Sequence, residues 1–463
     1  MKCGRCPANL LMKGMNLRTS FKMNLFTRFC YCLAGFVLLT LSGAVGQEMN
    51  EVFSQMKPYK GEHHRGVNTS TLKGKVMCGY QGWFAAEGDG SGRGWVHYGQ
   101  GKKFRPGNCT IDLWPDMREM GEDEKYVTPF FYADKSKASV FSSYNKKTVE
   151  RHFQWMKQSA IDGVFLQRFG SSLRSAKVYN HRNVVLSNVQ AGANKHGRTW
   201  AVMYDLSGLK AGEIKSLVME DWKRLVKRMK IKDDKSYLHE NGKPVVAVWG
   251  IGFNGGRQYN LDECMKLVRF LKEDKEFGGN TVMLGVPAYW RTLQRDAVKD
   301  VKLHEIIKQA DIISPWTVGR YRTPEGAKDY AEKTLSKDVQ WTSKNGLKYM
   351  PVAFPGFSWQ NLSKTRDEDN KLGHIPRLKG QFLWEQARAF KQHGAGMLYV
   401  AMFDEIDEGT AIFKCTNKPP IGDSKFLTYD GLPTDHYLWL TGEITKYFHQ
   451  EKPLPQSMPV RDK

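Results

Sequence analysis

Eight short runs rich in Val, Ile, Phe and Tyr recur along the chain, each closed by Gly, Pro or polar residues and followed by a segment with helical spacing. They read KVMCGYQGWF, DGVFLQRFG, TWAVMYDLSG, PVVAVWGIGF, TVMLGVPAYW, ADIISPWTVGRY, YMPVAFPGFSW and GMLYVAMFDE. Between them lie helical candidates such as KTVERHFQWMKQSA, EIKSLVMEDWKRLVKRMK and GQFLWEQARAFKQHG; in the second, Leu225, Val226 and Met229 recur at helical spacing with Lys and Arg opposite. Continuous rather than alternating apolarity means burial on both strand faces, which a parallel sheet covered by helices provides. Eight such units over roughly 380 residues predict an α/β fold, a (β/α)8 TIM barrel, with a long insertion after the first strand at residues 85 to about 145.

The barrel is expected to occupy residues 73–450, with a charged leader at 47–72 and a tail at 451–463. Residues 1–46 place Lys22 and Arg28 ahead of an apolar run at 29–41, then Ala44 and Gly46, and read as a secretory signal cut near Gly46, its start over-extended upstream of Met23. The run is shorter than the roughly 20 residues of a spanning helix, so no stable membrane span is expected after cleavage. Residues 1–46 carry six basic and no acidic residues, so 64 Lys and Arg then face 48 Asp and Glu, a net charge of +16. In a secreted or periplasmic chain, expected here as a monomer, such an excess is read as meeting an acidic polysaccharide, sulfated or uronic, or an anionic cell surface rather than nucleic acid, with a generally solvated basic surface the competing reading. Four cysteines remain, Cys78, Cys109, Cys264 and Cys415, without CxxC spacing; no zinc site is expected, and a Cys78 to Cys109 bridge stays open.

Chemistry in such a barrel sits at the C-terminal ends of the strands. Those ends hold Tyr80, Gln81 and Trp83; Gln167 and Arg168; Tyr204 and Asp205; Trp249; Tyr289 and Trp290; Trp316 and Arg320; and Trp359. Aromatic faces stack on the C–H faces of sugars, while amides, carboxylates and guanidinium groups bond hydroxyls, so these residues are expected to form a carbohydrate-binding bowl. GIGFNGG, from Gly250, has the G-x-G-x-x-G spacing but follows the fourth run rather than the first, and EGDGSGRG lacks a following GK[ST]; no nucleotide cofactor is expected.

The last run opens into AMFDEIDEGTAIF, which gathers Asp404, Glu405, Asp407 and Glu408. Crowded carboxyls repel and raise one another's pKa, as a general acid working near neutral pH requires. Glycoside cleavage takes two carboxyl groups. Glu405 and Glu408 stand three apart before the turn-forming Gly409 and are expected on one side of a turn, with Asp404 and Asp407 contacting substrate. A solvated acidic loop or a calcium site competes with this reading, although DEIDEG lacks EF-hand spacing.

FDEIDEGTAIFK resembles the FNEWHEGTQIE signature of glycoside hydrolase family 99, the endo-α-mannosidases, and of the wider family 71/99-like group. Together with GYQGWF and DLWPDM it looks like secreted bacterial members labelled xylosidase/arabinosidase. The resemblance implies a retaining hydrolase in which Glu405 removes the substrate 2-hydroxyl proton, giving a 1,2-anhydro sugar, and Glu408 is the acid/base. Ile406 and Asp407 stand where that family has Trp and His, so the likeness carries the mechanism further than mannose specificity. A non-catalytic glycan-binding barrel and ordinary double displacement are the alternative readings.

Overall fold

Seven of the apolar runs form uninterrupted parallel strands and one is split. The computed structural model describes residues 47–366, 368 and 370–461. In chain order its strands are β1 (Val76–Tyr80), β2 (Tyr126–Phe131), β3 (Lys137–Val140), β4 (Gly163–Phe169), β5 (Thr199–Asp205), β6 (His239–Glu240), β7 (Lys243–Trp249), β8 (Thr281–Pro287), β9 (Ile312–Trp316), β10 (Lys348–Tyr349), β11 (Val352–Ala353) and β12 (Leu398–Val400). Parallel pairing runs β10-β9-β8-β7-β5-β4-β1-β12-β11, while β6 adds antiparallel to β7.

The two ends of that order belong to one run, broken at Met350 and Pro351. Met350 N donates to Ile313 O at 2.9 Å on the β9 side, and Pro351 O accepts from Tyr399 N at 2.9 Å on the β12 side. Proline has no N–H to extend a ladder, so the run passes its pairing from one neighbour to the other there and closes the circle. The result is a (β/α)8 barrel.

Helices cover the wall because each buries one stripe. Lys146–Gln158 starts at Asn145, whose side chain accepts from Lys147 N and Thr148 N, and it buries Val149, Phe153, Trp155 and Met156. Leu261–Glu273 starts with a reciprocal Asn260 and Glu263 cap. Residues 214–229 are helical with wide i→i+5 turns at both ends; Leu225 and Met229 are buried and Val226 only partly. The insertion after β1 holds the antiparallel β2–β3 hairpin over an aromatic cluster of Phe104, Trp114 and Phe130.

The signal read at residues 1–46 lies outside the described residues. No described helix is long and apolar enough to cross a membrane. Cys78 and Cys109 are unbridged: both are free, buried thiols, as are Cys264 and Cys415, and Cys109 Sγ donates to Ile111 O.

Candidate active site

The acidic stretch leaves the end of β12 and folds back on itself at the mouth of the barrel. Phe403 N donates to Gly79 O at 2.8 Å, and Thr410 N and Ala411 N both return to Glu405 O, at 3.1 and 3.0 Å. Gly409 makes the return with φ +60; a side chain there would meet Ser358 Cβ at 2.8 Å. The insertion fixes this loop from outside: Asp112 N and Leu113 N donate to Ile406 O, and the Asp112 carboxylate accepts from Ser358 Oγ (2.5 Å), Gln360 N (2.8 Å) and Asn361 N (2.8 Å).

Each of the four carboxyls meets different surroundings. Asp404 accepts from Gln81 N at 2.7 Å and Gly82 N at 2.9 Å, so it ties the chain after β12 to the chain after β1. Glu405, 4% exposed, accepts from Gln81 Nε2 at 2.5 Å and Thr410 Oγ1 at 2.6 Å. Asp407 lies 3.0 Å from His97 Nδ1, and its other oxygen has no partner. Glu408 is partly exposed; its peptide oxygen accepts from Ser358 N.

Burial is the largest cause of upward pKa shifts at all four. Asp404 is pushed up to about 7, opposed by the Gln81 and Gly82 amides. Glu405 lies well above the usual carboxylate range, raised further by Glu408 and Asp407 and opposed by its bonds to Thr410 and Gln81. Asp407 is pushed up to about 8, and Glu408 to about 7 with Asp407 raising it and Arg366 lowering it. Glu405 and Glu408 therefore titrate as an interacting pair.

Only part of the expected bowl faces the mouth, because neighbouring residues of a strand point to opposite sides of the wall. Phe169, Asp205 and Trp249 stand in register on β4, β5 and β7. Gln167, two residues below Phe169, reaches Tyr399 Oη at 3.1 Å across the interior, and Trp316 contacts both Tyr399 and Trp249. Trp83 joins them, stacked on His97 at 3.9 Å and beside Phe169.

Four expected residues turn away from the mouth. Tyr80 Oη meets His152 Nδ1 at 2.8 Å under the helix Lys146–Gln158, and Trp290 packs on Trp341. Arg168 is bound through Nε and Nη2 to Asp221, at 2.6 Å each, and Tyr204 Oη donates to the same carboxylate, so both serve the wall–helix interface. Tyr289 and Arg320 form a rim cluster through Asp296, and Trp359 lies under the Arg366 guanidinium.

His97, Thr410 and Asp112 went unread in the sequence. They sit in irregular segments where no periodicity marks a functional side chain, although DLWPDM did single out the stretch holding Asp112. Six of the buried polar atoms without partners belong to residues of the strand ends and the acidic loop: Gln81 Oε1, Gln167 Oε1, Trp83 Nε1, Trp249 Nε1, Trp359 Nε1 and Asp407 Oδ1. Each costs about 1–3 kcal/mol if left unmade, and together they suit a ligand rich in hydroxyls. Among the described residues no group of three or more His, Cys, Asp or Glu is arranged to hold a metal ion.

By fold the chain is a (β/α)8 barrel of the kind seen in glycoside hydrolase family 99. The GH99 endo-alpha-mannosidase from Bacteroides thetaiotaomicron superposes with a TM-score of 0.58 at 14% identity, covering 82% of this chain and 99% of that one. Its complex with bis-tris-propane gives 0.57 at 15%, covering 82% and 98%. A glycoside hydrolase-like protein gives 0.50 at 10%, covering 85% and 99%. No protein-family model matches the sequence, and no curated protein does. At these identities the likeness is one of fold.

Proposed function

We propose that the protein is a retaining glycoside hydrolase in which Glu408 is the acid/base and Glu405 the base for the substrate 2-hydroxyl. The observation that carries this reading is the unequal pair: Glu405 is aimed by Gln81 and Thr410, whereas Glu408 is partly open and pushed up to about 7. A carboxyl that ionises near neutral pH can give its proton to a departing oxygen and take one back from water.

In the first step Glu405, which must first ionise against the burial and neighbouring carboxyls that raise it, accepts the proton of O2 as O2 attacks the anomeric carbon. The glycosidic bond breaks, the leaving oxygen takes the Glu408 proton, and a 1,2-anhydro sugar remains. Water then opens that ring at the anomeric carbon, losing a proton to Glu408 while O2 regains one from Glu405. Two inversions give net retention. The signature residues Glu405 and Glu408 support this route over nucleophilic attack by Glu405.

Two measurements test it. Digestion of a glycan panel with product sizing should show cleavage by the wild-type enzyme; absence of any cleavage favours a binding-only barrel. A 2-deoxy-2-fluoro glycoside of a cleaved sugar, lacking the 2-hydroxyl, should be inert and leave no adduct by intact-protein mass spectrometry. A mass increase mapping to Glu405 would overturn the anhydro-sugar step in favour of double displacement. Export follows from the N-terminal reading, and cell fractionation checks it.

A further inference from the structure

The basic residues expected at the strand ends are not the ones left free to meet a ligand. Arg168 is committed to Asp221 and Arg320 to Asp296. Two other guanidinium groups stand near the mouth without an ion pair among the described residues. Arg257, in the loop after β7, lies over the rings of Trp249 and Phe253 at 5.5 and 5.7 Å, and its Nη1 donates to Ser207 Oγ at 3.0 Å. Its Nε is buried without a partner, and among the described residues no hydrogen bond engages Nη2.

Arg182, 6% exposed, projects from the helix Ala176–His196. Its Nη1 donates to the carbonyls of Gln81 and Gly82 at 3.2 and 3.4 Å, its guanidinium lies 5.4 Å from the Phe169 ring, and its Nε is again without a partner. Both cations act on Asp205, which burial raises and Arg257 and Arg182 lower. Arg257 also lines a cavity of about 440 Å³, whose walls also carry Phe253, Asn254, Asp262, Asp300 and Lys302.

Arg182 is a buried guanidinium that keeps its proton, with Asp205 among the carboxylates acting on it and no ion pair formed, an arrangement that is costly and persists where a ligand supplies further charge, whereas Arg257 is half-buried and keeps Nη2 free of hydrogen bonds among the described residues. With Nε covered and Nη1 on Ser207, Nη2 is the donor Arg257 leaves for an oxygen of a carboxylate or sulfate, a charge-assisted bond. Its place over Trp249 and its bond to Ser207 hold the group beside β7. The half-exposed Phe253 ring offers a face to the sugar carrying that group.

We propose that the sugar bound beside β7 carries an anionic substituent, a uronic carboxylate or a sulfate ester, held by Nη2 of Arg257, while Arg182 keeps the wall behind it positive. This subsite rests on the glycosidase reading for its role in turnover but not for its binding.

The test is binding of Glu408→Gln protein to an array carrying uronic, sulfated and neutral oligosaccharides, repeated with Arg257→Gln and Arg257→Lys added. Binding is expected on uronic or sulfated members, whichever is bound naming the anion, with affinity falling 10-fold or more for Arg257→Gln and less for Arg257→Lys. Melting curves like the parent's exclude misfolding. Binding of neutral members alone, no binding of any anionic member, or anionic binding indifferent to Arg257→Gln overturns the proposal. Wild-type hydrolysis of the same panel separates the two readings. Arg257-dependent anionic binding without hydrolysis leaves the subsite standing and removes the glycosidase, whereas cleavage of neutral glycans alone does the reverse.

Discussion

Glu405 and Glu408 are three residues apart, yet one is held by two donors and the other is partly open, so the same side chain meets two environments, on which the two proposed roles rest. Glu408→Gln keeps shape and removes the proton donor; turnover of a natural glycan should fall about 10²-fold or more with affinity nearly unchanged, measured by initial rates and calorimetry. The pH dependence follows from the same shift. In the folded protein Glu408 keeps its proton until about 7, so the alkaline limb of kcat/KM should fall near there and disappear in Glu408→Gln. Stability has the opposite owner. An unfolded Glu ionises near 4.3, so between roughly 4.3 and 7 the native state binds the extra proton, and the stability this gives is lost as pH rises through about 7. Glu408→Gln should therefore melt higher than wild type at pH 8, by roughly 1–3 kcal/mol, with no gain at pH 4. The crowding of the pair with Asp404 and Asp407 before a glycine was legible in the sequence. The contacts of Thr410 with Glu405 and of His97 with Asp407 were not, because the loop's return path makes them.

The strands were legible because burial on both faces leaves continuous apolar runs, and all eight formed. Which strand-end residues face the mouth was misread where two neighbours were both assigned to it. Gln167 points inward and Arg168 outward, and Asp205 and Tyr204 divide the same way, since successive side chains alternate. The outward members build an interface of their own: Arg168, Tyr179 and Tyr204 converge on Asp221, joining β4 and β5 to two covering helices. Asp221→Ala would strand a buried guanidinium and should cost about 3–5 kcal/mol by chemical denaturation. In the insertion, whose irregular chain carries no readable period, Asp112 satisfies one hydroxyl and two amides beside the acidic loop. Asp112→Ala should cost about 2–4 kcal/mol and lower activity in the protein that remains folded, because three buried donors lose their acceptor.

Over the whole molecule, residues 47–463 carry +16, and a ligand of opposite charge should feel it at long range. For an anionic glycan the apparent KM should rise several-fold between about 20 mM and 500 mM salt with kcat little changed, as screening shortens to a few Å; a neutral substrate should be indifferent. Barrel closure has a different consequence. Gln81 meets Asp404 and Glu405 across 323 and 324 residues of sequence, and β1 completes its pairing only when β12 arrives. During synthesis almost the whole chain must therefore leave the ribosome before the proposed centre exists, and fragments ending ahead of Asp404 should be silent however well they fold. The proposed activity would then be a clock for the last event of the chain's own assembly.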